Sequence, residues 1–518
     1  MLRRLSICLA FATCCFLNTW MALAEAGGSF FARYRPWHTV VAPVVCWEIA
    51  IALGILAAWE FCRRRSLLRV RAFHGAFLAA SLVPLGISAA AILRIAPVPL
   101  VTVVRDPRFW PLALAASVAP VGISVLRPAA ASRFLRGAFL CAIPVLAFLV
   151  IRGTVTILRY PEAAYEDGPL AAALDGTPQM RVVWIIFDEL SQGIAFGARP
   201  ASLDLPNFDR LRGESFYATA AAAPADATER SMPSLTIGET VVEAVPEGVN
   251  DLRLRIAGRP GAVLWSSLPN VFDAARGLGF NTALTGWFLP YGRILNRSLT
   301  RCDWTAGWMV PGIEERSTPL PLPAAMWDRA RLQISVLPLA GHLPGVFPGR
   351  YAREEKARRF AYLVDGARQM AADPAMGLTL VHLPVPHPPA IYDRERGTIG
   401  TTGPDGYLDN VALADRTLGE LRRAIEEAGL WDRTALVVSA DHGWRTNLWR
   451  GDAEWTAEEE AASHGETMGV PFLVRLPGEA KPLCYDRPLP TVMTKALITA
   501  ILEGRVTRLA QVAETLQR

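Results

Sequence analysis

Charge is scarce in this chain. Only 19% of its 518 residues are Asp, Glu, Lys or Arg, 52% are hydrophobic, and the formal net charge is a mild +5. Such a balance gives no electrostatic footprint for nucleic acid, so a nucleic-acid partner is not expected. Cysteine is almost missing from the last two thirds. Six of eight cysteines, Cys8 to Cys141, come early, and only Cys302 and Cys484 follow. That argues against a disulfide-built scaffold, and no zinc-finger spacing occurs. The two late cysteines remain either a pair in an oxidising compartment or two separate thiols. Internal repeats are absent, which excludes a solenoid.

Apolar sequence is abundant and concentrated at the start. Five segments, about 6–24, 40–60, 73–94, 109–126 and 137–151, approach the length of a bilayer span. The first ends Ala22-Leu-Ala24 and also fits a cleaved signal peptide. Ten arginines (Arg3, Arg4, Arg63, Arg64, Arg65, Arg69, Arg71, Arg127, Arg133 and Arg136) fall on one set of loops and four (Arg33, Arg35, Arg105 and Arg108) on the other. The positive-inside rule makes the richer side cytoplasmic. The expected organisation is an all-α transmembrane domain of about five helices over 1–152, a linker over 153–178, and an extracytoplasmic domain over 179–518 anchored in the plasma membrane. Glu48, inside the second segment, is either a functional intramembrane acid or an interfacial residue beside Trp47.

The outer part carries the chemistry. Arg181-Val-Val-Trp-Ile-Ile-Phe-Asp188-Glu189 is a continuous apolar run ending in carboxylates, and the apolar run Ala435 to Val438 leads to Asp441-His442-Gly443. Unbroken apolar runs of this length read as strands of a buried parallel sheet, whose carboxyl ends gather ligands. Asp188 or Glu189, or both, with Asp441 and His442 would then meet around a divalent cation. Gly443 is expected to let the backbone turn sharply. Between the runs, Asp226-Ala-Thr228-Glu-Arg-Ser231-Met-Pro-Ser234 opens a helix whose hydroxyls sit among unpaired N–H groups, where a metal-activated nucleophile belongs. Thr228 and Ser231 both remain open as that nucleophile.

Taken in order, these pieces resemble the alkaline phosphatase/sulfatase superfamily over roughly residues 180–505. The resemblance extends to Leu383-Pro-Val-Pro-His387-Pro-Pro, to the helix beginning Asp409-Asn-Val-Ala, and to Ser463-His464-Gly ahead of Val470-Pro471-Phe-Leu-Val. It implies a three-layer α/β domain with a mostly parallel sheet, a divalent metal (Zn, Mn, Ca or Mg) on Asp188, Glu189, Thr228, Asp441 and His442, and catalytic roles for Thr228, His387 and His464. Aligning Leu235-Thr-Ile-Gly238 with the end of the family's nucleophile helix places the nucleophile on Thr228. No cysteine lies in this box, so the cysteine-derived formylglycine of most sulfatases cannot form. Five spans before such a domain resemble phosphoethanolamine transferases and lipoteichoic acid synthases. That implies a membrane lipid as donor and a lipid, glycan or water acceptor. Sulfate- or phosphate-ester hydrolysis on the same fold, or a decayed and non-catalytic site, are the alternatives.

Two further stretches carry expectations. Residues 311–350, rich in Pro and Leu, read as an irregular insertion that walls the substrate cleft or lies on the membrane. Residues 352–371 read as a helix whose charges form a solvated face.

Overall fold

A computed structural model describes residues 2–24, 41–66, 69–77, 80–81, 122, 126–159, 167–170, 180–248, 250–306, 321–335, 348–400, 406–450, 455–465, 468–479 and 481–517. The chain divides into two compact units. Met1–Pro161 with Thr318–Pro348 forms one, and Glu162–Ser317 with Gly349–Arg518 the other.

The first unit holds α1 (Leu2–Cys15), α2 (Leu17–Ala24), α3 (Ala42–Arg65) and α4 (Pro128–Arg159). The first apolar segment is thus broken at Phe16 into two short helices. The segments 73–94 and 109–126 lie mostly outside the described residues. The segment 137–151 falls within α4, which continues to Arg159 through the start of the expected linker. Among the described residues, α3 alone is long and apolar enough to cross a membrane. Helix α1 packs on α3 and α4. Arg4 pairs with Glu60, which also takes the Arg63 Nε at 2.8 Å, so the arginine-bearing ends of α1 and α3 lie together. Glu48 is buried and accepts a 2.7 Å hydrogen bond from the Trp20 indole. Thr318–Pro348 contributes α6 (Leu322–Ser335), which follows α5 (Thr228–Ile237) of the second unit in the chain and packs on α3.

The second unit is built on one eight-stranded sheet. Its strands are β1 (Arg181–Asp188), β2 (Phe216–Ala218), β3 (Asn281–Phe288), β4 (Arg301–Ala306), β5 (Met376–Pro386), β6 (Thr434–Ala440), β7 (Phe472–Arg475) and β8 (Leu483–Tyr485). Their order is β8-β2-β7-β6-β1-β5-β3-β4, and only β7 runs against the rest. Every residue of β1, β5 and β6 is buried, the pattern expected of central parallel strands covered on both faces. Helix α7 (Pro348–Ala371) precedes β5, α8 (Tyr407–Glu427) packs against β5, and α9 (Thr494–Leu502) packs against β1. Strands β1 and β6 are neighbours in parallel register, with Phe187 opposite Ala440, so Asp188 and Asp441 leave the same edge side by side. Cys302 on β4 and Cys484 on β8 lie at opposite edges of the sheet. Seven strand spacings of about 4.8 Å separate them, far beyond disulfide reach, so they do not pair with each other.

Helix α7 forms where the sequence predicts it, with Phe360, Leu363 and Met370 inward. Its charges form a solvated face only in part: Arg358, Asp365 and Arg368 are exposed, but Arg353, Glu355, Lys356 and Arg359 are buried.

Candidate active site

Asp188, Asp441 and His442 present ligand atoms within 4.8 Å of one another at the carboxyl ends of β1 and β6, and all three are buried. Asp441 is held by backbone donors, the N–H groups of Glu189 (3.1 Å) and His442 (2.8 Å), both to Oδ1. Its Oδ2 accepts the Thr228 hydroxyl at 2.6 Å. Thr228 is the first residue of α5, among the unpaired N–H groups of that end. Ser231, one turn on, donates instead to the Ala225 carbonyl at 3.0 Å. The structure therefore brings Thr228 into the cluster and turns Ser231 away from it.

The histidine is preset for coordination. His442 Nδ1 lies 3.0 Å from the Gly443 carbonyl and must donate to it, which leaves the lone pair on Nε2. That atom lies 3.4 Å from Asp188 Oδ1, from Asp441 Oδ2 and from the Thr228 hydroxyl. Neither carboxylate oxygen of Asp188 accepts a hydrogen bond, although both are buried. Burial, with Asp441 and Glu189 alongside, pushes the Asp188 carboxyl well above the ordinary range. Burial also opposes charge on Asp441, but His442, His382 and the Thr228 hydroxyl outweigh it and hold that carboxyl below the ordinary range. A buried acid with no donors beside a second acid and an imidazole lone pair is a cation site by its donor set.

Glu189 stands in a different environment. It is one of two described non-glycine residues with positive φ, at 68°; the other, Phe288 at 73°, ends β3. Its carboxylate accepts the Arg445 N–H at 2.7 Å, the Arg445 guanidinium at 3.2 Å from Nε and 3.2 Å from Nη2, and the Trp449 indole at 2.8 Å. His387 lies beyond it, with Nε2 at 3.8 Å from Glu189 Oε2, and Asp188, Glu189 and His387 form a second group of ligand geometry. The His387 ring stands edge-on to Trp287 and Trp449, at centroid distances of 5.4 and 5.2 Å. Its Nδ1 faces the Pro388 carbonyl, so Nε2 again keeps the lone pair. Burial pushes His387 down to about 4, so it is neutral at pH 7.

The Sulfatase family model matches residues 181–502, which include every one of these groups. The chain belongs to the sulfatase family. Enzymes of this family depend on a metal ion, and the Asp188, Asp441 and His442 donor set is suited to one. The chain is also 31% identical, over 80 residues, to an endo-4-O-sulfatase of Bacteroides thetaiotaomicron, spanning 15% of its own length and 15% of that relative's. Similar solved structures include the phosphonate monoester hydrolase of Agrobacterium radiobacter (16% identity, TM-score 0.40, 63% of this chain and 74% of that one). A putative sulfatase of Bacteroides fragilis is similar as well (14% identity, TM-score 0.40, 67% and 80%).

In this sulfatase-family domain one expected residue is elsewhere. His464 is 71% exposed at its side chain, 3.8 Å from Glu460, and joins neither ligand group. Gly443 has a different reason to be glycine from the expected turn. A Cβ there would lie 2.4–2.5 Å from the backbone of Met468, so close approach of two chain segments demands it. The sequence reading also misses supporting residues. Lys356 of α7 donates to the carbonyls of His387 and Pro389, and Asn410 of α8 donates to those of Pro386, His387 and Pro389. They fix the His387 loop. His382 of β5 is fully buried. Its Nδ1 lies 2.8 Å from the Tyr291 hydroxyl, and the ring also faces the Trp287 backbone. Gly286 leaves room for the Tyr291 ring, whose nearest atom is 2.6 Å from where a Cβ would stand. A histidine inside an apolar strand gives no signal in sequence; the VHLPVPH stretch draws the eye to its last histidine.

Proposed function

We propose that this chain is a metal-dependent, membrane-anchored enzyme of phosphate-ester chemistry. It is a phospho-group transferase or phosphodiesterase that acts outside the membrane on lipid or envelope-glycan substrates, with Thr228 as nucleophile. The observation that carries this reading is the Thr228 hydroxyl, 2.6 Å from Asp441 and 3.4 Å from His442 Nε2, in a helix start that holds no cysteine. Asp188, Asp441, His442 and Thr228 would hold the ion. The chemistry an ion supplies there is a lowered hydroxyl pKa and a polarised phosphoryl oxygen.

Thr228 Oγ1 attacks phosphorus in line and the ester oxygen leaves on the far side. The hydroxyl proton departs along its bond to Asp441. The phosphothreonine keeps a substituent when the donor is a diester. A sugar or lipid hydroxyl, or water, then attacks the same phosphorus and releases Thr228. His387, neutral with its Nε2 lone pair free, suits the proton from that second nucleophile. Glu189 holds Arg445 and Trp449 against the site rather than ligating. Membrane attachment is supported by the apolar α3, whose Ile49 and Leu53 are 49% and 54% exposed, and the outside placement by the arginine asymmetry.

The test is trapping. The full chain, loaded with manganese or zinc and given an aryl phosphodiester, should acquire an adduct that peptide mass spectrometry maps to Thr228 and that Thr228→Ala abolishes. Turnover that survives in Thr228→Ala, with the adduct on Ser231, overturns the assignment. Mass spectrometry of lipids and glycans from a strain lacking the protein then names donor and acceptor.

A further inference from the structure

The chain passes between its two units three times rather than once. It leaves the first unit after Pro161, returns to it at Thr318, and leaves again after Pro348. The returning stretch carries α6, which packs on α3, and the Trp47 indole donates to the Met326 carbonyl at 2.8 Å. Trp47 lies in the second turn of α3, the helix long and apolar enough to cross a membrane. The level of α6 is therefore that of the first turns of α3, where a spanning helix meets the headgroup layer.

Its side chains suit that level. Trp327 is 64% exposed and Leu322 43%, while Ala325 and Arg329 turn inward. Trp327 stands on the face of α6 opposite the buried Ala325 and Arg329, whereas Leu322, at the helix start, lies about 140° around the axis from it. Tryptophan is a residue of membrane interfaces, and a Trp so exposed on a water-facing surface would cost free energy. On α3, Val45 and Ile49 are exposed at the same end.

We propose that α6 is a membrane-surface strap: a helix inserted in the catalytic sequence that docks on α3 and rests Trp327 in the lipid headgroup layer, so that the catalytic sequence is tied to the membrane at a second point besides the linker. This rests on the reading of α3 as a membrane span. The occupant at Trp327 is lipid, because α6 packs beside the start of that span. The strap keeps the catalytic unit within reach of lipid headgroups even when the linker is cut.

The experiment uses the full chain with a specific protease site inserted between residues 171 and 179. Membranes are cut to completion, washed in high salt, and residues 180–518 are followed by immunoblot. The strap predicts that the cut fragment stays in the pellet. It also predicts release increased on the order of tenfold when α6 is replaced by a Gly/Ser segment of equal length, and increased to a smaller degree by Trp327→Glu, a change at an exposed side chain that folding tolerates. Release of the cut fragment from the unaltered chain overturns the strap alone, as does retention that the α6 replacement leaves unchanged. An uncut chain found in the soluble fraction overturns the membrane reading, and the lipid contact of α6 with it.

Discussion

The cluster around Asp188 and the cluster around Glu189 begin at consecutive residues, and both carboxylates are buried. Asp188 accepts no hydrogen bond, whereas Glu189 accepts four from Arg445 and Trp449. A buried acid left without donors is a cost to the folded chain until a cation arrives. A buried acid given a guanidinium and an indole is already neutralised, and it serves to fix those groups in place. On the proposed reading the two positions do different work: the open one would hold an ion, and the closed one forms the wall beside it. The positive φ of Glu189 makes the division, since it turns the second side chain away from the first.

The largest effect expected from breaking this contrast is at Asp188. Asp188→Asn should lower turnover on the order of a thousandfold and empty the site of metal by elemental analysis. In metal-free protein the same change should raise the melting temperature. The Asp188 carboxyl is held above its ordinary range, so above that range the unfolded chain gains from losing a proton that the folded chain keeps. A metal-free Asp188→Asn that melts lower would mean that the acid has a partner and that the contrast is false.

Glu189→Gln should behave in the opposite way. It leaves the partly buried Arg445 uncompensated and should destabilise the protein by about 2 kcal/mol in denaturant titration, with or without metal. Equal destabilisation and complete metal loss in Glu189→Gln would move Glu189 into the ligand set.

A smaller effect follows from pH. His382 and His387 are both pushed by burial from 6.5 to about 4. Below 6.5 the unfolded chain takes up these protons first, so the folded state loses stability as pH falls from about 6.5 to about 4 and has the contribution in full above that window. In a metal-free Asp188→Asn background, which removes the opposing carboxyl, the fall should be visible by denaturant titration and shallower after His387→Asn. A slope unchanged by that replacement would remove His387 from the account.

The smallest effect is expected at His464. Exposed beside Glu460 and outside both clusters, it should tolerate His464→Ala with turnover changed by less than about twofold. A loss of tenfold or more would bring it into the reaction.

What the sequence determined by itself was the scaffold and the edge where the chemistry lies. The runs ending at Asp188 and Asp441 have apolar cores, residues 182–187 and 435–438, with no alternation of polar and apolar residues, as expected of strands covered on both faces. Parallel neighbours with ligands at one edge follow from that. The hydroxyl-rich start of α5 and the Asp-His-Gly end of β6 were visible because each is local, a few residues at a helix or strand terminus. Tertiary structure alone decided which neighbours share those roles. Arg445 reaches Glu189 across 256 residues. Ser231 and Thr228 differ by less than one helical turn yet face different partners. Lys356 looks like part of a solvated charge run until α7 turns it toward the His387 loop. Gly443 owes its identity to the backbone of Met468. The insertion at 318–348 interrupts the catalytic sequence and folds with the other unit. Each of these depends on which distant segment fills the space beside a side chain, and periodicity and composition carry no record of that, because they report only whether a position is covered and not by what.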